Sequence, residues 1–125
     1  MNPSEPDPTV SATTAADVAL RHTGEGVVIA ARGEFDALTT PALQEAIHDA
    51  LAERPRVLVM DLSETAFFSS TAIGALVDAE LTAGEPTSVR LVASPPIRRT
   101  LRLLGLDRHF DYCDTTDDAL TTTPG

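Results

Sequence analysis

The sequence is poor in several residue types that particular functions require. It contains no lysine, no tryptophan, one cysteine, one tyrosine and four phenylalanines in 125 residues. The single cysteine, Cys113, excludes an intramolecular disulfide bond. Cys113 and the three histidines (His22, His48 and His109) lack the spacing of metal ligands, so we expect no metal and no cofactor. With so few aromatic residues, the core must rest on Leu, Val, Ile and Ala.

The charge of the chain is strongly one-sided. All nine basic residues are arginine, and they are outnumbered by nineteen acidic residues, which gives a net charge of -10. An acidic chain disfavours direct contact with nucleic acid or with an anionic membrane surface. It suits a basic protein partner.

The length of the chain allows one domain but not two separate cores. Residues 1–16 are rich in Pro, Ser and Thr and predict a flexible tail, and residues 122–125 predict a second short tail. The domain is therefore expected at residues 17–121. Neither a signal peptide nor the run of about 18 apolar residues that a membrane span needs is visible. We therefore expect a cytoplasmic protein.

The centre of the chain carries the most informative pattern. Residues 57–60 are an apolar run that predicts a central strand buried on both faces, and residues 73–81 have helical spacing of apolar side chains. Between them lie three consecutive hydroxyls, on Ser69, Ser70 and Thr71. Ser and Thr are favoured at helix starts, where free N–H groups and partial positive charge can also hold a phosphate. These hydroxyls are therefore simple helix caps or a phosphorylation site.

Strands and helices are predicted to alternate along the chain. This order indicates an α/β fold with a single, mostly parallel sheet of about five strands, an antiparallel hairpin at its N-terminal edge and about four helices packed on it. Residues 33–36 are predicted to be a loop at the end of a strand, and Gly105 is predicted to cap a helix C-terminus. The predicted strands cover residues 17–23, 27–31, 57–60, 89–92 and 110–113, and the predicted helices start near residues 40, 70, 94 and 115.

Several kinds of catalytic site are absent from the sequence. There is no G-x-S-x-G nucleophile motif, no G-x-x-x-x-G-K-[ST] phosphate-binding loop and no G-x-G-x-x-G dinucleotide motif. A phosphoacceptor receiver domain would explain Asp61 at the end of the central strand. However, such a domain needs a lysine beside its aspartate, and the chain has none. We therefore predict that the protein is not an enzyme.

Three stretches of the sequence resemble a known family. The stretches Gly33-Glu34-Phe35-Asp36, 61–74 and 94–106 follow the order and spacing of the STAS domain. More narrowly, the chain is similar to bacterial anti-sigma factor antagonists of the SpoIIAA type. The resemblance covers about residues 17–121, and it implies the STAS fold.

The resemblance also implies a function that is controlled by phosphorylation. In that family the antagonist binds an anti-sigma factor that is also a serine kinase with a GHKL-type ATP fold, and the sigma factor is released. Phosphorylation at the N-terminus of the second helix ends the binding, and a PP2C-type phosphatase removes the phosphate. By its position in the motif, Thr71 is implied to be the acceptor, with Ser70 as a secondary candidate. The implied partner contacts are Glu34, Asp36, Phe68, Ser69, Ser70 and Thr71.

One residue of the motif differs from the family pattern. Ser69 stands where the family usually has aspartate. Serine still caps a helix, at a difference of a few tenths of a kcal/mol or so, but it supplies no charge beside the acceptor hydroxyl. The alternative function is therefore a STAS scaffold or a ligand-sensing module that is not phosphorylated.

Overall fold

The computed structural model describes residues 16–121. Apart from Ala16, the tails predicted at residues 1–16 and 122–125 lie outside this range. The strands are β1 (Asp17–His22), β2 (Gly26–Phe35), β3 (Val57–Leu62), β4 (Thr65–Phe68), β5 (Ser88–Ala93) and β6 (Asp111–Tyr112). The helices are α1 (Thr40–Ala52), α2 (Ser70–Ala83), α3 (Pro95–Leu103) and α4 (Thr116–Thr121), with a short 3₁₀ turn at Asp107–His109.

The strands form one mixed sheet in the order β1-β2-β3-β5-β6, and β4 pairs with the end of β2 beside this path. Among the strands of residues 16–121, only the β1–β2 pair is antiparallel; β2 pairs with β3 and β4, β3 with β5, and β5 with β6, all in parallel. The predicted α/β fold with a mostly parallel sheet and an antiparallel edge is confirmed.

Two segments that lie outside the predicted strands form strands in the structure. Strand β2 continues through residues 33–35, and residues 65–68 form β4 opposite them. The backbone N–H of Gly33 donates to the carbonyl of Glu64 at 3.1 Å, and the Thr65 hydroxyl donates to the carbonyl of Ala31 at 2.6 Å. These bonds join parts of the chain that are about thirty residues apart. No local sequence pattern could therefore have indicated this pairing.

The close approach of the paired strands β2 and β3 explains why β2 begins with a glycine. Gly26 is paired with Val57, and a Cβ atom at Gly26 would overlap the carbonyl oxygen of Val57. Only glycine lets the two backbones approach in this register. The chain can therefore pass from the hairpin turn at residues 23–25 directly into β2, beside the central strand β3.

The two faces of the sheet are covered very differently. One face packs against α1, α2 and α3 and forms the larger core cluster, with Leu58, Met60 and Leu91 fully buried. The other face is covered by α4 alone among the described helices, over a smaller cluster of Val28, Val57, Val59, Val92, Ala119 and Leu120. Within the described range, no helix has the length and apolar character to cross a bilayer.

The helix patterns predicted the buried faces with two exceptions. Leu81 was expected on the apolar side of α2, but it is 75% exposed, because that helix buries alanines such as Ala75 and Ala79 and turns Leu81 outward. Leu104 continues the apolar spacing of Ile97 and Leu101 in the sequence, but it is the cap residue after α3 and is exposed. The prediction that Gly105 terminates α3 is confirmed, because it follows the cap residue Leu104 in the left-handed conformation, with a φ of +73°.

Candidate functional site

The candidate site lies where α2 begins. Ser69 has extended backbone angles (φ -73°, ψ 171°), and its hydroxyl accepts a hydrogen bond from the Ala72 N–H at 3.3 Å. Its carbonyl accepts from the Ile73 N–H at 2.9 Å. The predicted hydroxyl cap is thus Ser69, which is half-buried. The Ser69 hydroxyl is therefore already engaged in a hydrogen bond that caps α2.

The next two hydroxyls face solvent. Ser70 and Thr71 are exposed, and no hydrogen bond within the described chain involves their side chains or their backbone N–H groups. Two free N–H donors at the positive end of a 14-residue helix form a place for negative charge. Both side chains are accessible to a modifying enzyme or to a partner.

The loop that carries Asp36 is joined directly to this helix start. The Ser69 N–H donates to the carbonyl of Phe35 at 2.8 Å. The Asp36 carboxylate accepts from the N–H of Leu38 at 2.9 Å, from the N–H of Thr39 at 3.0 Å and from the Thr39 hydroxyl at 3.1 Å. These bonds, above all those from Thr39 and Leu38, lower the pKa of Asp36. The loop therefore holds a fixed negative charge near the hydroxyls.

The pairing of β2 with β4 decides which phenylalanine is accessible. Glu34 is paired with Phe67, and both are exposed, whereas Phe35 is paired with Phe68, and both are buried. The predicted partner contact at Phe68 is corrected here: its side chain is 4% exposed and meets the Phe35 ring edge-on, with centroids 5.5 Å apart. Phe67, 50% exposed, takes its place on the surface.

A second exposed apolar residue lies in the Asp36 loop, and the sequence analysis did not find it. Leu38 is 90% exposed, although a leucine is costly to leave in water. Its only signal in the sequence is its position in a polar loop directly after Gly33-Glu34-Phe35-Asp36. We call the combined set the hydroxyl surface. It consists of the exposed residues in the two segments that the Ser69–Phe35 hydrogen bond joins, namely Glu34, Asp36, Leu38, Phe67, Ser70 and Thr71.

The hydroxyl surface has the chemistry of a binding site. It combines two carboxylates, two free hydroxyls and two exposed apolar side chains. Among the described residues, no group of His, Cys, Asp and Glu could hold a metal ion. Asp61, the residue that would have carried a receiver-type phosphate, accepts hydrogen bonds from the Ser63 N–H and hydroxyl at 3.1 and 2.6 Å, so it stabilises a turn.

Comparison with known proteins gives consistent similarities. The family model described as "Mlab, STAS domain" matches residues 18–116. The anti-sigma-F factor antagonist RsfB of Mycobacterium tuberculosis is 36% identical over 99 residues, which are 78% of this chain and 81% of that protein.

Solved structures give the same result for the fold. An anti-sigma factor antagonist from Mycobacterium paratuberculosis has a TM-score of 0.80 and 35% identity, over 86% of this chain and 92% of that chain. A STAS domain protein from Planctomyces limnophilus has a TM-score of 0.71 and 21% identity, over 86% of this chain and 97% of that chain, and shares the fold. The chain therefore belongs to the STAS domain family.

Proposed function

We propose that this protein is an anti-sigma factor antagonist, a binding module that contacts an anti-sigma factor through the hydroxyl surface and so regulates sigma-factor-dependent transcription in the cytoplasm. Two relatives at 35–36% identity carry the name of antagonist, which supports the proposal. The observation that carries it is the exposure of Ser70 and Thr71 inside a partly apolar, acidic surface.

The hydroxyl surface suits a partner that has both apolar and basic groups. Leu38 and Phe67 are exposed apolar side chains that a partner would cover, and such residues contribute most when they are buried at the centre of an interface. Asp36 and Glu34 are exposed carboxylates on the same surface. They would pair with arginine or lysine of the partner and would accelerate association with it.

Phosphorylation then acts as the release step. The partner is an anti-sigma factor with a GHKL-type serine kinase fold, and it phosphorylates Thr71, with Ser70 as the secondary acceptor. A phosphate adds a charge of about -1.5 to -2 and considerable bulk to the binding surface. The free N–H groups and the dipole of α2 tolerate this charge, so the fold is retained. A loss of about 3 kcal/mol at the interface weakens binding more than a hundredfold.

A PP2C-type phosphatase completes the proposed cycle. It removes the phosphate from the exposed hydroxyl and restores the binding form. Because Ser70 and Thr71 are both exposed, the phosphatase would reach either residue without unfolding α2. Incubating the phosphorylated protein with such a phosphatase should restore binding to the anti-sigma factor.

The cycle is tested by native mass spectrometry with GHKL-type anti-sigma factors from the same genome. We expect a complex in ADP, and its replacement in ATP by free antagonist that carries one phosphate. Fragmentation of the free antagonist would locate the modified residue. A complex that persists in ATP with no added mass would contradict the release step.

Variants at the acceptor separate the switch from simple binding. Thr71→Ala should bind in both ADP and ATP, and Thr71→Glu should bind weakly in both. Thr121→Glu is the matched control, because Thr121 is an exposed threonine at the end of α4, which covers the other face of the sheet. Equal binding by Thr71→Ala and Thr71→Glu would remove the proposed mechanism.

A second candidate function is a STAS scaffold or ligand-sensing module that is never phosphorylated. The observation in its favour is Ser69, which caps α2 without the negative charge of aspartate. Under this alternative, the kinase adds no phosphate to the natural chain. A Ser69→Asp variant that becomes phosphorylated when the natural chain does not would support the scaffold.

A further inference from the structure

The exposed side of α2 continues from the hydroxyl surface toward the other end of the helix. Ser70, Gly74, Asp78 and Leu81 follow one another at intervals of four, four and three residues, so they share one side of the helix. All four are exposed. This α2 face is opposite the buried alanines of the helix, and Gly74 lies in its middle.

Gly74 has no structural reason to be glycine. It lies inside a regular helix without a positive φ, and a Cβ atom added there would meet nothing within 4 Å. Glycine is less favourable than alanine inside a helix, because it loses more backbone freedom on folding. The domain itself would therefore be more stable with alanine at this position. What glycine does provide at this exposed position is room for another molecule to approach the helix backbone closely.

The next members of the α2 face take no part in a core cluster or an ion pair of the described chain. Leu81 is 75% exposed and takes no part in the core. Asp78 makes no ion pair within the described chain. The face thus presents a bare backbone at Gly74, with an unpaired carboxylate and an apolar side chain beyond it.

We propose that the α2 face is a close-approach surface for the same anti-sigma factor that binds the hydroxyl surface, an inference that rests on the proposed function. An apolar ridge of the partner packs directly on the backbone at Gly74, a basic side chain pairs with Asp78, and an apolar side chain covers Leu81. The face is continuous with Ser70 and Thr71 and extends about 16 Å along the helix. Its carboxylate has the same sign as those of Asp36 and Glu34, so one basic partner suits both surfaces.

A methyl group is sufficient to test this contact. Gly74→Ala should raise the urea midpoint of unfolding, because alanine favours the helix. The same variant should weaken binding of the anti-sigma factor in ADP at least tenfold, because the methyl group separates the two surfaces. Leu81→Ser should weaken binding about threefold or more while leaving the urea midpoint nearly unchanged.

Gly24→Ala is the matched control. Gly24 lies in the β1–β2 turn, at the opposite end of β2 from the start of α2, and a Cβ atom there also meets nothing within 4 Å. This variant should bind like the natural chain. Binding by Gly74→Ala within twofold of the natural chain would overturn the close-approach surface and leave the proposed function intact. A natural chain that binds no anti-sigma factor would overturn both.

Discussion

The outward position of Phe67 and the inward position of Phe68 give a direct test of the structure beneath the hydroxyl surface. Phe68 is 4% exposed and packs on the fully buried Phe35, whereas Phe67 is half exposed. Phe68→Ala should therefore destabilise the domain strongly, and Phe67→Ala should not. For binding to the anti-sigma factor the order should be reversed, because only Phe67 is available to a partner.

The magnitude follows from the burial of each ring. Truncating a buried phenylalanine to alanine costs about 3–5 kcal/mol. Of this, about 0.5–1.5 kcal/mol is the edge-on contact between the rings of Phe68 and Phe35. A domain of this size has a total stability of about 5–15 kcal/mol, so Phe68→Ala removes a large part of it. Loss of the half-exposed ring in Phe67→Ala should cost about 1 kcal/mol or less.

Urea unfolding measures both changes in the same experiment. With a slope of about 2 kcal/mol/M, Phe68→Ala should lower the midpoint by roughly 2 M and Phe67→Ala by less than about 0.5 M. If Phe67→Ala were the more damaging change, the reasoning would be refuted. Such a result would mean that β4 pairs one residue out of register, since a one-residue slip exchanges the two faces of a strand.

Two further predictions concern groups whose charge has a defined role in the fold. An NMR titration should give the Asp36 carboxyl a pKa below its ordinary value. The contribution of this carboxylate to stability should be present at neutral pH and should be lost as the pH falls through that lowered pKa. A pKa at or above the ordinary value would contradict the hydrogen bonds from Leu38 and Thr39. Arg90, which is 3% exposed and donates to the Ala119 carbonyl at 2.7 Å, should hold α4 on the sheet. Arg90→Met should cost about 1–3 kcal/mol and speed amide exchange in α4, and unchanged exchange would contradict this role.

Much of the fold could be predicted from local patterns. The apolar run at residues 57–60 is a central strand, and the hydroxyls after it do begin a helix. Gly105 ends α3, where the Leu106 N–H donates to the Leu101 carbonyl at 2.8 Å and the Gly105 N–H donates to the Arg102 carbonyl at 3.0 Å. These features depend on neighbouring residues only, which is why the sequence is sufficient for them.

Part of the candidate site could also be predicted from neighbouring residues alone. The motif identified the hydroxyls and Asp36, and the capping preference of serine explains Ser69. The exposed Leu38 was missed, because a single leucine in a loop has no periodicity from which to judge its burial. The contact at Phe68 was misplaced, because two adjacent phenylalanines are equivalent in the sequence.

The sequence by itself determined the alternation of strands and helices, the caps and the family, because spacing and local hydrogen bonding are properties of short segments. Only the tertiary structure decided which side chains reach the surface beside the hydroxyls. Gly33 is paired with Thr65 and Glu34 with Phe67, so Ala66 is an extra residue in β4. This irregularity turns Phe67 outward and Phe68 inward. It depends on the pairing of β4 with a distant strand, which no local pattern encodes.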